Sequence, residues 1–338
     1  MILIDALFIN KGGGAVLLQY LIEKILELPA KDDFFFLLDP RFEKPAAMDK
    51  NFIVIPNKMK DRLRFYKQHR NDYAKVFCFA NTPPPLKLKV PVYSYSHNQK
   101  LLEAPKQKLN PKYFKLYLKY LVIKLFNRNT DYYIVQTPHM VQELTRLGLK
   151  DVAHCLQIPF YDDRKYIGGH MPFHERVKDE FVFISNPSPQ KNHTTLFDAW
   201  EYLLEKGYTP KLHLTIDHTG PQYIARMNEL NNRGARIVNH VYVDPRELYF
   251  TCPYLIFPSV MESFGLPLIE ATDSGMKVIA SNLPFVHDVV VPSLVFEPMD
   301  KVSIADAVIK ALTSPLQESK IVTRNEADQL INLLLAKR

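Results

Sequence analysis

Short apolar runs alternate with longer amphipathic stretches along this chain, and the alternation stops once and then starts again. The first series opens with a strand predicted over residues 2–8, and the second opens with a strand predicted over 181–185. Alternating strands and helices fold into parallel sheets that are covered by helices. The pattern therefore predicts an α/β protein of two doubly wound domains. We take the aperiodic stretch 162–179, which contains Gly168 and Gly169, as the linker between them.

Length and composition agree with this organisation. The chain has 338 residues, of which 47% are hydrophobic and 23% charged, so it suits two domains and excludes a disordered protein. We predict domains at 1–165 and 166–316, followed by a helical stretch over 317–338. The cysteines are far apart and predict reduced, buried thiols. No signal peptide and no run of about 18 apolar residues is evident, so we expect a cytoplasmic protein.

Positive charge is concentrated in the first half of the chain. Residues 1–165 hold 27 Lys and Arg against 16 Asp and Glu, whereas residues 166–338 hold 16 against 20. Within residues 56–128 the count is 17 basic against 3 acidic. This concentration predicts that the first domain faces an anionic partner: nucleic acid, a phosphorylated substrate or a membrane surface.

Two carboxylates, Glu262 and Glu270, flank a Phe-Gly-Leu-Pro turn that is predicted to join a strand to a helix. Pro267 suits the first turn of that helix, where the backbone amides have no carbonyl partner. Those amides and the positive end of the helix dipole suit an anion, and carboxylates accept hydrogen bonds from the hydroxyls of a sugar. The pattern indicates a site for a sugar attached to a phosphate. The alternative is that both are ordinary acids at a helix start.

Residues 180–300 resemble the retaining GT-B glycosyltransferases of family 4, which carry a Glu-x7-Glu signature. Besides the Glu pair, the resemblance rests on residues 239–249 and on the segments Phe183-Ile-Ser-Asn-Pro-Ser-Pro-Gln-Lys-Asn-His, Ala280-Ser-Asn-Leu-Pro and Phe296-Glu-Pro-Met-Asp. It implies the GT-B fold, with two Rossmann-like domains that face each other across a cleft. The first would bind the acceptor and the second a nucleotide sugar, while the C-terminal helix would pack back on the first. It also implies no metal and no cofactor: the donor would be a UDP-, GDP- or other nucleoside diphosphate sugar.

The resemblance assigns roles to the residues that match the family motif. It implies that Glu262 contacts the transferred hexose, that Glu270 holds the ribose hydroxyls, and that Lys191 neutralises the departing diphosphate. The donor site would be completed by Ser263, Phe264, Gly265, Leu266, Asn186 and Asn192. Many members of the family have an Arg where this chain has Asn186, so one of two expected cations is missing. Without the motif around it, Lys191 would be an exposed lysine at a helix start.

The candidate residues of the first domain are three glycines and a histidine. Gly12, Gly13 and Gly14 follow a strand and open a helix, where backbone amides can hold a phosphate of the donor or the acceptor. A dinucleotide fingerprint would need a further glycine where the chain has Leu17, so a nicotinamide dehydrogenase is disfavoured. His97 stands where the family often has a histidine near the sugar. A tight turn and a polar loop are the respective alternatives.

The stretch 111–128 is predicted to form a helix with Lys112, Lys115 and Lys119 on one face and four apolar residues on the opposite face. A basic helix that carries tyrosines can lie at a lipid interface, and clustered lysines are attracted to anionic lipid. The alternative is a core helix that buries its apolar face and leaves a solvated lysine edge.

The leading hypothesis is a metal-independent hexosyltransferase (EC 2.4 type) that retains the anomeric configuration. It would move a hexose from a nucleotide sugar to a glycan acceptor, lipid-linked and at the inner face of the cytoplasmic membrane, as in bacterial lipopolysaccharide, capsule or O-antigen biosynthesis. No side chain stands out as a covalent nucleophile, and no nucleic-acid partner is expected. Two alternatives stay open: a nucleotide-sugar epimerase or hydrolase on the same scaffold, and a non-catalytic basic scaffold that binds nucleic acid or membrane.

Overall fold

The structure is a computed structural model that describes residues 1–164, 166 and 171–336. The chain divides into two compact units. Unit 1 comprises Met1–Asp162 and Arg324–Arg338, and unit 2 comprises Asp163–Thr323. The predicted linker glycines, Gly168 and Gly169, lie outside the described residues.

Unit 1 is built around a seven-stranded parallel sheet in the order β3-β2-β1-β4-β5-β6-β7. Strand β1 is buried along its whole length, because helices cover both faces of a sheet of this kind. The strands are β1 (Ile2–Ala6), β2 (Phe34–Leu38), β3 (Phe52–Val54), β4 (Lys75–Cys78), β5 (Val92–Tyr95), β6 (Tyr132–Val135) and β7 (Cys155–Gln157).

The helices of unit 1 include five that connect its strands and one that returns from the end of the chain. The connecting helices are α1 (Gly12–Leu26), α2 (Met59–His69), α3 (Gln99–Glu103), α4 (Phe114–Phe126) and α5 (Pro138–Arg146).

Unit 2 repeats the same plan. Its six-stranded sheet has the order β10-β9-β8-β11-β12-β14, and β13 pairs with β15 in a separate antiparallel ribbon. The strands are β8 (Glu180–Phe183), β9 (Lys211–Leu214), β10 (Arg236–Asn239), β11 (Tyr254–Phe257), β12 (Lys277–Ser281), β13 (Val290–Val291), β14 (Leu294–Phe296) and β15 (Lys320–Ile321).

The helices of unit 2 follow the sequence prediction closely where proline or a capping side chain marks their start. For example, the side chain of Asp244 accepts a hydrogen bond from the first turn of a helix that has Pro245 at its first position. The helices are α6 (His193–Glu205), α7 (Pro221–Asn232), α8 (Pro245–Thr251), α9 (Leu266–Asp273), α10 (Pro284–His287) and α11 (Lys301–Thr313).

The end of the chain differs from the predicted helix over 317–338. Residues 320–321 are strand β15, because they pair with β13, and such tertiary pairing overrides local helix propensity. The last helix, α12 (Ala327–Leu335), belongs to unit 1. At the C-terminal end of α12, the carbonyl oxygens of Leu333 and Ala336 each accept a 2.7 Å hydrogen bond from the ammonium group of Lys75.

The predicted linker over residues 162–179 is not a free connection: residues 171–179 pack against unit 2 and belong to it. The guanidinium of Arg176, only 3% exposed, donates to the carbonyl oxygens of Met171, Cys252 and Ser274. A single arginine that caps scattered carbonyl groups produces no periodic pattern, which is why this stretch resembled a linker in the sequence.

Both sheets reverse their strand order next to their first strand, between β1 and β4 and between β8 and β11. In open α/β sheets, ligands bind outside the carboxyl ends of the strands at such switch points. The prediction of two doubly wound α/β domains is confirmed, and each unit has one switch point where a ligand is expected. None of the described helices has the length and apolar character needed to cross a bilayer.

Candidate active site

The switch point of unit 2 brings together the two loops that carry the predicted donor residues. The loop with Lys191 follows β8, and the loop with Glu262 follows the adjacent strand β11. The amide of Val260 donates a 2.8 Å hydrogen bond to the carbonyl oxygen of Gln190, which fixes one loop against the other. Residues far apart in the sequence are therefore neighbours at the carboxyl edge of this sheet.

Lys191 and Glu262 form an ion pair at this edge. Lys191 Nζ lies 2.5 Å from Glu262 Oε1, and the two side chains are 17% and 16% exposed. Lys191 Nζ also lies 5.7 Å from the centroid of the Phe257 ring. Because Glu262 neutralises the lysine, an anionic ligand that needs the charge of Lys191 has to compete with this carboxylate.

The turn between the two glutamates has a backbone that requires glycine. Gly265 has φ +88°, and a Cβ atom there would lie 3.0 Å from Leu268 Cδ1. Helix α9 begins at the next residue, Leu266, and Pro267 occupies its first turn. Phe264 is 4% exposed, so only its backbone can reach a ligand. The turn, with Ser263 at its start, places main-chain groups at the positive end of α9.

Glu270 lies in α9 beside two tyrosines that the sequence analysis did not single out. Burial, together with the charge of Glu270 and a hydrogen bond to it, raises the pKa of Tyr166 well above its usual range. Burial and the same charge raise the pKa of the fully buried Tyr249. The two rings pack edge to face with centroids 5.7 Å apart. Both tyrosines therefore stay neutral; Tyr166 hydrogen-bonds to the Glu270 carboxylate, whereas the buried hydroxyl of Tyr249 has no hydrogen-bond partner among the described residues.

Other predicted residues of unit 2 have structural surroundings. The Asn192 side chain donates to the carbonyl oxygen of Pro298 at 2.6 Å and accepts from Thr195 Oγ1 at 2.7 Å, so it holds its own loop. Asn186 is exposed at the same edge. His193 is fully buried, and burial with the nearby charge of Lys191 lowers its pKa to about 4, which is typical of a neutral core residue.

The switch point of unit 1 opens into a cavity of about 710 Å³ that is lined by Gly14, Asn81 and His97. The Asn81 side chain accepts a hydrogen bond of 2.7 Å from the backbone N–H of His97, and its Nδ2 lies 3.1 Å from His97 Nε2. Burial lowers the pKa of His97 to about 4, so its ring is neutral at pH 7.

The backbone of two residues that line this cavity is unusual: Phe8 and Asn81 have φ of 84° and 63°, in the left-handed region. Strained backbone of this kind concentrates at functional sites.

The three glycines lie within the first turn of α1, since the helix begins at Gly12 rather than near residue 15. Gly12 and Gly13 are exposed, whereas a Cβ atom on Gly14 would lie 3.1 Å from His97 Nε2. A side chain at position 14 would therefore press on the histidine ring, a constraint that glycine spacing alone could not reveal.

The cavity of unit 1 has a cationic side and an apolar side. Lys11, Arg41 and Lys119 contribute positive charge, and α4 contributes Val122 and Ile123 to the apolar wall. Arg41 is paired with Asp39 at 2.8 Å. In the part of the chain that the structure describes, neither Lys11 nor Lys119 forms an ion pair. The cavity therefore suits a ligand that has both an anionic group and an apolar part.

Helix α4 exposes its apolar face, contrary to the core-helix alternative. Phe114, Leu118, Leu121 and Leu125 are 40–64% exposed and follow one another at helical spacing. The face that is buried carries Tyr120 and Ile123 instead. Sequence alone could not decide this, because both faces carry apolar residues. The exposed lysines of the helix, Lys115, Lys119 and Lys124, flank the apolar stripe; the side chain of Lys112 lies outside the described residues.

Comparisons with known proteins bear on both units. Residues 173–328 match the family described as "Glycosyl transferases group 1". The serotype-specific mannosyltransferase WbdA of Escherichia coli is 30% identical over 147 residues, which is 41% of this chain and 18% of that protein. The chain therefore spans less than a fifth of the length of the curated relatives that it matches.

Solved glycosyltransferase structures share the fold of nearly the whole chain. Anabaena HepE, solved in complex with UDP and glucose, aligns with a TM-score of 0.66 at 15% identity and covers 92% of this chain and 89% of its own. WaaG, a glycosyltransferase involved in lipopolysaccharide biosynthesis, aligns with a TM-score of 0.67 at 15% identity over 93% and 91%. Residues 173–328 are therefore similar to glycosyl transferases group 1 domains, and the chain has the two-domain α/β fold of the GT-B glycosyltransferases.

Proposed function

We propose that this protein is a retaining hexosyltransferase that uses a nucleoside diphosphate sugar. The observation that carries the proposal is the position of Lys191, Glu262 and Glu270 around the switch point of a group 1 glycosyltransferase domain. A cation, two carboxylates and a helix start are what a phosphate, a sugar and a ribose require at one edge of a sheet. UDP in the complexes of HepE, a protein of the same fold, supports a nucleotide donor.

In this proposal each group has one task. Glu270, held by Tyr166, accepts hydrogen bonds from the ribose hydroxyls, and Glu262 contacts the hexose. Lys191 and the main chain of residues 263–266 stabilise the negative charge that develops on the departing diphosphate, so that no bound metal is required. The acceptor attacks from the face that the nucleotide leaves, and a donor phosphate oxygen takes its proton.

A nucleotide-sugar screen tests the donor site. Glu270→Ala should weaken binding of the preferred UDP- or GDP-sugar by about 10- to 100-fold, because a hydrogen bond to a charged group contributes roughly 1.5–3 kcal/mol. Glu205→Ala, which removes an exposed glutamate of α6, should leave the dissociation constant unchanged. Isothermal titration calorimetry measures both.

Two results would overturn the assignment: no nucleotide sugar binds to the wild-type protein, or Glu270→Ala binds as tightly as wild type. Turnover of the donor without an acceptor would instead indicate the epimerase or hydrolase.

We further propose a lipid-linked glycan acceptor and a place in bacterial surface polysaccharide assembly. Similarity to WbdA and the fold of WaaG support the biosynthetic setting. The structure of unit 1 supports the lipid: Lys119 and Val122 of α4 line the cavity, while Leu118 and Leu121 of the same helix face solvent. An acceptor could place its diphosphate beside the cavity cations while its lipid remains in an anionic membrane on which α4 lies, at the inner face of the cytoplasmic membrane.

Vesicle binding tests the membrane surface. Replacing Leu118, Leu121 and Leu125 together by Gln should lower the affinity for vesicles that contain phosphatidylglycerol by roughly 100-fold. Each half-exposed leucine loses about 1 kcal/mol of burial in the lipid, and 1.4 kcal/mol corresponds to tenfold. Because these side chains are exposed, the variant should keep the stability of the wild type.

The matched control is Val54→Gln with Val152→Gln, two apolar residues of unit 1 that are 45% and 63% exposed elsewhere. Sedimentation with vesicles measures all three proteins. If the leucine variant and the control bind vesicles equally well, α4 is not a membrane-binding surface.

A further inference from the structure

A second cluster of chemically reactive side chains lies in unit 2, at the edge of the sheet opposite the candidate active site. Glu180 is the first residue of β8, His213 is in β9, and Cys252 comes just before β11. Their ligand atoms, a carboxylate oxygen, an imidazole nitrogen and a thiol sulfur, all lie within 4.8 Å of one another. These three strands are neighbours: Glu180 and Cys252 lie at the amino ends of β8 and β11, and His213, the third residue of β9, reaches them from the adjacent strand. The donor residues lie at the carboxyl ends.

The histidine–carboxylate distance in this cluster matches that between two ligands of one tetrahedral ion, and the thiol sulfur lies a few tenths of an ångström further out. His213 Nε2 lies 3.4 Å from Glu180 Oε2, and Cys252 Sγ lies 3.9 Å from the same oxygen. With metal–ligand bonds of about 2.1 Å to nitrogen and oxygen and about 2.3 Å to sulfur, tetrahedral geometry separates ligand atoms by roughly 3.4–3.6 Å. Imidazole, thiolate and carboxylate together suit a borderline ion such as Zn²⁺.

The histidine supplies an independent indication. His213 is 5% exposed, and its Nε2 atom has no hydrogen-bond partner, although Glu180 Oε2 is 3.4 Å away. The contact is thus within reach but poorly aligned for a hydrogen bond, which leaves the buried Nε2 available to another ligand partner. The other ring nitrogen, Nδ1, lies 2.8 Å from His240 Nε2. A hydrogen bond on the far side of a metal-binding histidine is the usual way in which its ring is oriented.

The Glu180 carboxylate also forms an ion pair with Lys211, but only one of its two oxygens takes part. Lys211 Nζ lies 3.0 Å from Glu180 Oε1, the oxygen that is not directed at the cluster. Oε2 therefore stays available to an ion. Cys252 is 1% exposed, so a bound ion would be shielded from bulk water on the thiol side.

We propose that Glu180, His213 and Cys252 bind one divalent transition-metal ion of the Zn²⁺ type, with water as the fourth ligand. The site would connect β9 to the amino ends of β8 and β11 in unit 2, and it lies away from the donor residues. It rests on side chains that the proposed transferase reaction does not use, so its success or failure is separate from that of the proposed function.

Cobalt binding to the full-length, chelator-treated protein tests the proposal. One equivalent of Co²⁺ should bind and produce a thiolate-to-cobalt charge-transfer absorption band, and Zn²⁺ should displace it. Cys252→Ser should abolish the band and weaken Co²⁺ binding by at least tenfold. Cys155→Ser, which removes a partly buried thiol of unit 1, is the matched control and should keep both.

Thermal unfolding gives a second readout that does not depend on colour. Zn²⁺ that binds only the folded protein raises the melting temperature with ligand concentration. We expect this rise in the wild type and in Cys155→Ser, and its loss in His213→Gln or Cys252→Ser. If the wild type binds no Co²⁺ at micromolar concentration, or if the band survives in Cys252→Ser, the site does not exist as proposed.

Discussion

Glu262→Gln should tighten the binding of a free nucleoside diphosphate and, at the same time, nearly abolish sugar transfer. In the unliganded protein Glu262 Oε1 lies 2.5 Å from Lys191 Nζ, so the carboxylate competes with a diphosphate for the lysine. Glutamine has the same size but no charge. Its introduction leaves Lys191 free to attract the phosphates, and the gain should be about three- to tenfold in the dissociation constant of UDP or GDP, or roughly 1 kcal/mol.

Transfer should respond in the opposite direction. We have proposed that Glu262 orients the hexose, and loss of one such charged contact at the reacting sugar lowers the turnover number by roughly 10²- to 10³-fold. Few substitutions tighten the binding of the nucleoside diphosphate product while nearly abolishing transfer. The two measurements together therefore test the proposed role of Glu262. Calorimetry with the nucleoside diphosphate and a transfer assay with the preferred sugar provide them.

Asp179→Asn is the matched control for this experiment. It also removes one carboxylate of an ion pair in unit 2, since Asp179 Oδ2 lies 2.6 Å from Arg236 Nη1, but it lies at the amino edge of the sheet. The control should change neither quantity. Lys191→Met should weaken diphosphate binding, whereas weaker binding in Glu262→Gln would show that the carboxylate supports the phosphates rather than competing with them.

Local sequence signals predicted the fold and the strand–turn–helix around Gly265 well, because neighbouring residues determine both. A continuous apolar strand such as β1 and a proline at a helix start such as Pro267 are readable from neighbours in the chain. Gly265 is predictable for the same reason, since a tight turn before a helix needs its left-handed backbone. The local structure of this edge could therefore be predicted from a few adjacent residues.

The features that sequence could not predict depend on residues that meet only in the folded chain. Tyr166 comes from a stretch without periodicity and reaches Glu270 through tertiary packing. The close contact at Gly14 comes from His97, which lies in the loop after β5. The metal cluster joins three strands whose ligands have no recognisable spacing. In α4 both faces are apolar enough to be buried, so only the packed unit shows which one is exposed.

The largest stability effect is expected in the core of unit 1, at a buried ion pair. Arg62 and Asp5 have fully buried side chains, and Arg62 Nε donates to Asp5 Oδ2 at 2.8 Å. Tyr66 also donates to that oxygen, at 2.7 Å. Although burial alone would lower it, the charge of Asp5 raises the pKa of Arg62 further above its usual value. Removal of one partner of such a pair leaves an uncompensated charge in the interior.

Arg62→Met should therefore lower the free energy of unfolding of unit 1 by about 3–5 kcal/mol. The neighbouring Arg64→Met is the matched control: Arg64 is on the same helix, and its contact with Asp61 is exposed and 3.3 Å long, so a loss below about 1 kcal/mol is expected. Urea unfolding followed by circular dichroism measures both. The single tryptophan, Trp200, lies in unit 2, so its fluorescence reports separately on the unit that should not change.

The same arginine connects the stability of unit 1 to its cavity, so the prediction has a second readout. Arg62 donates to the carbonyl oxygens of Thr82 and Pro83 at 2.8 and 2.9 Å, and the preceding residue, Asn81, holds His97. Asp5→Leu in the Arg62→Met protein should recover part of the stability, because the unpaired charge is gone. The carbonyl groups of Thr82 and Pro83 would still lack their donor, and Tyr66 and the amide of Leu7 would lose their acceptor. Weaker ligand binding at the cavity of unit 1 in the double variant would show that Arg62 also shapes the cavity, and unchanged binding would show that it serves only the core.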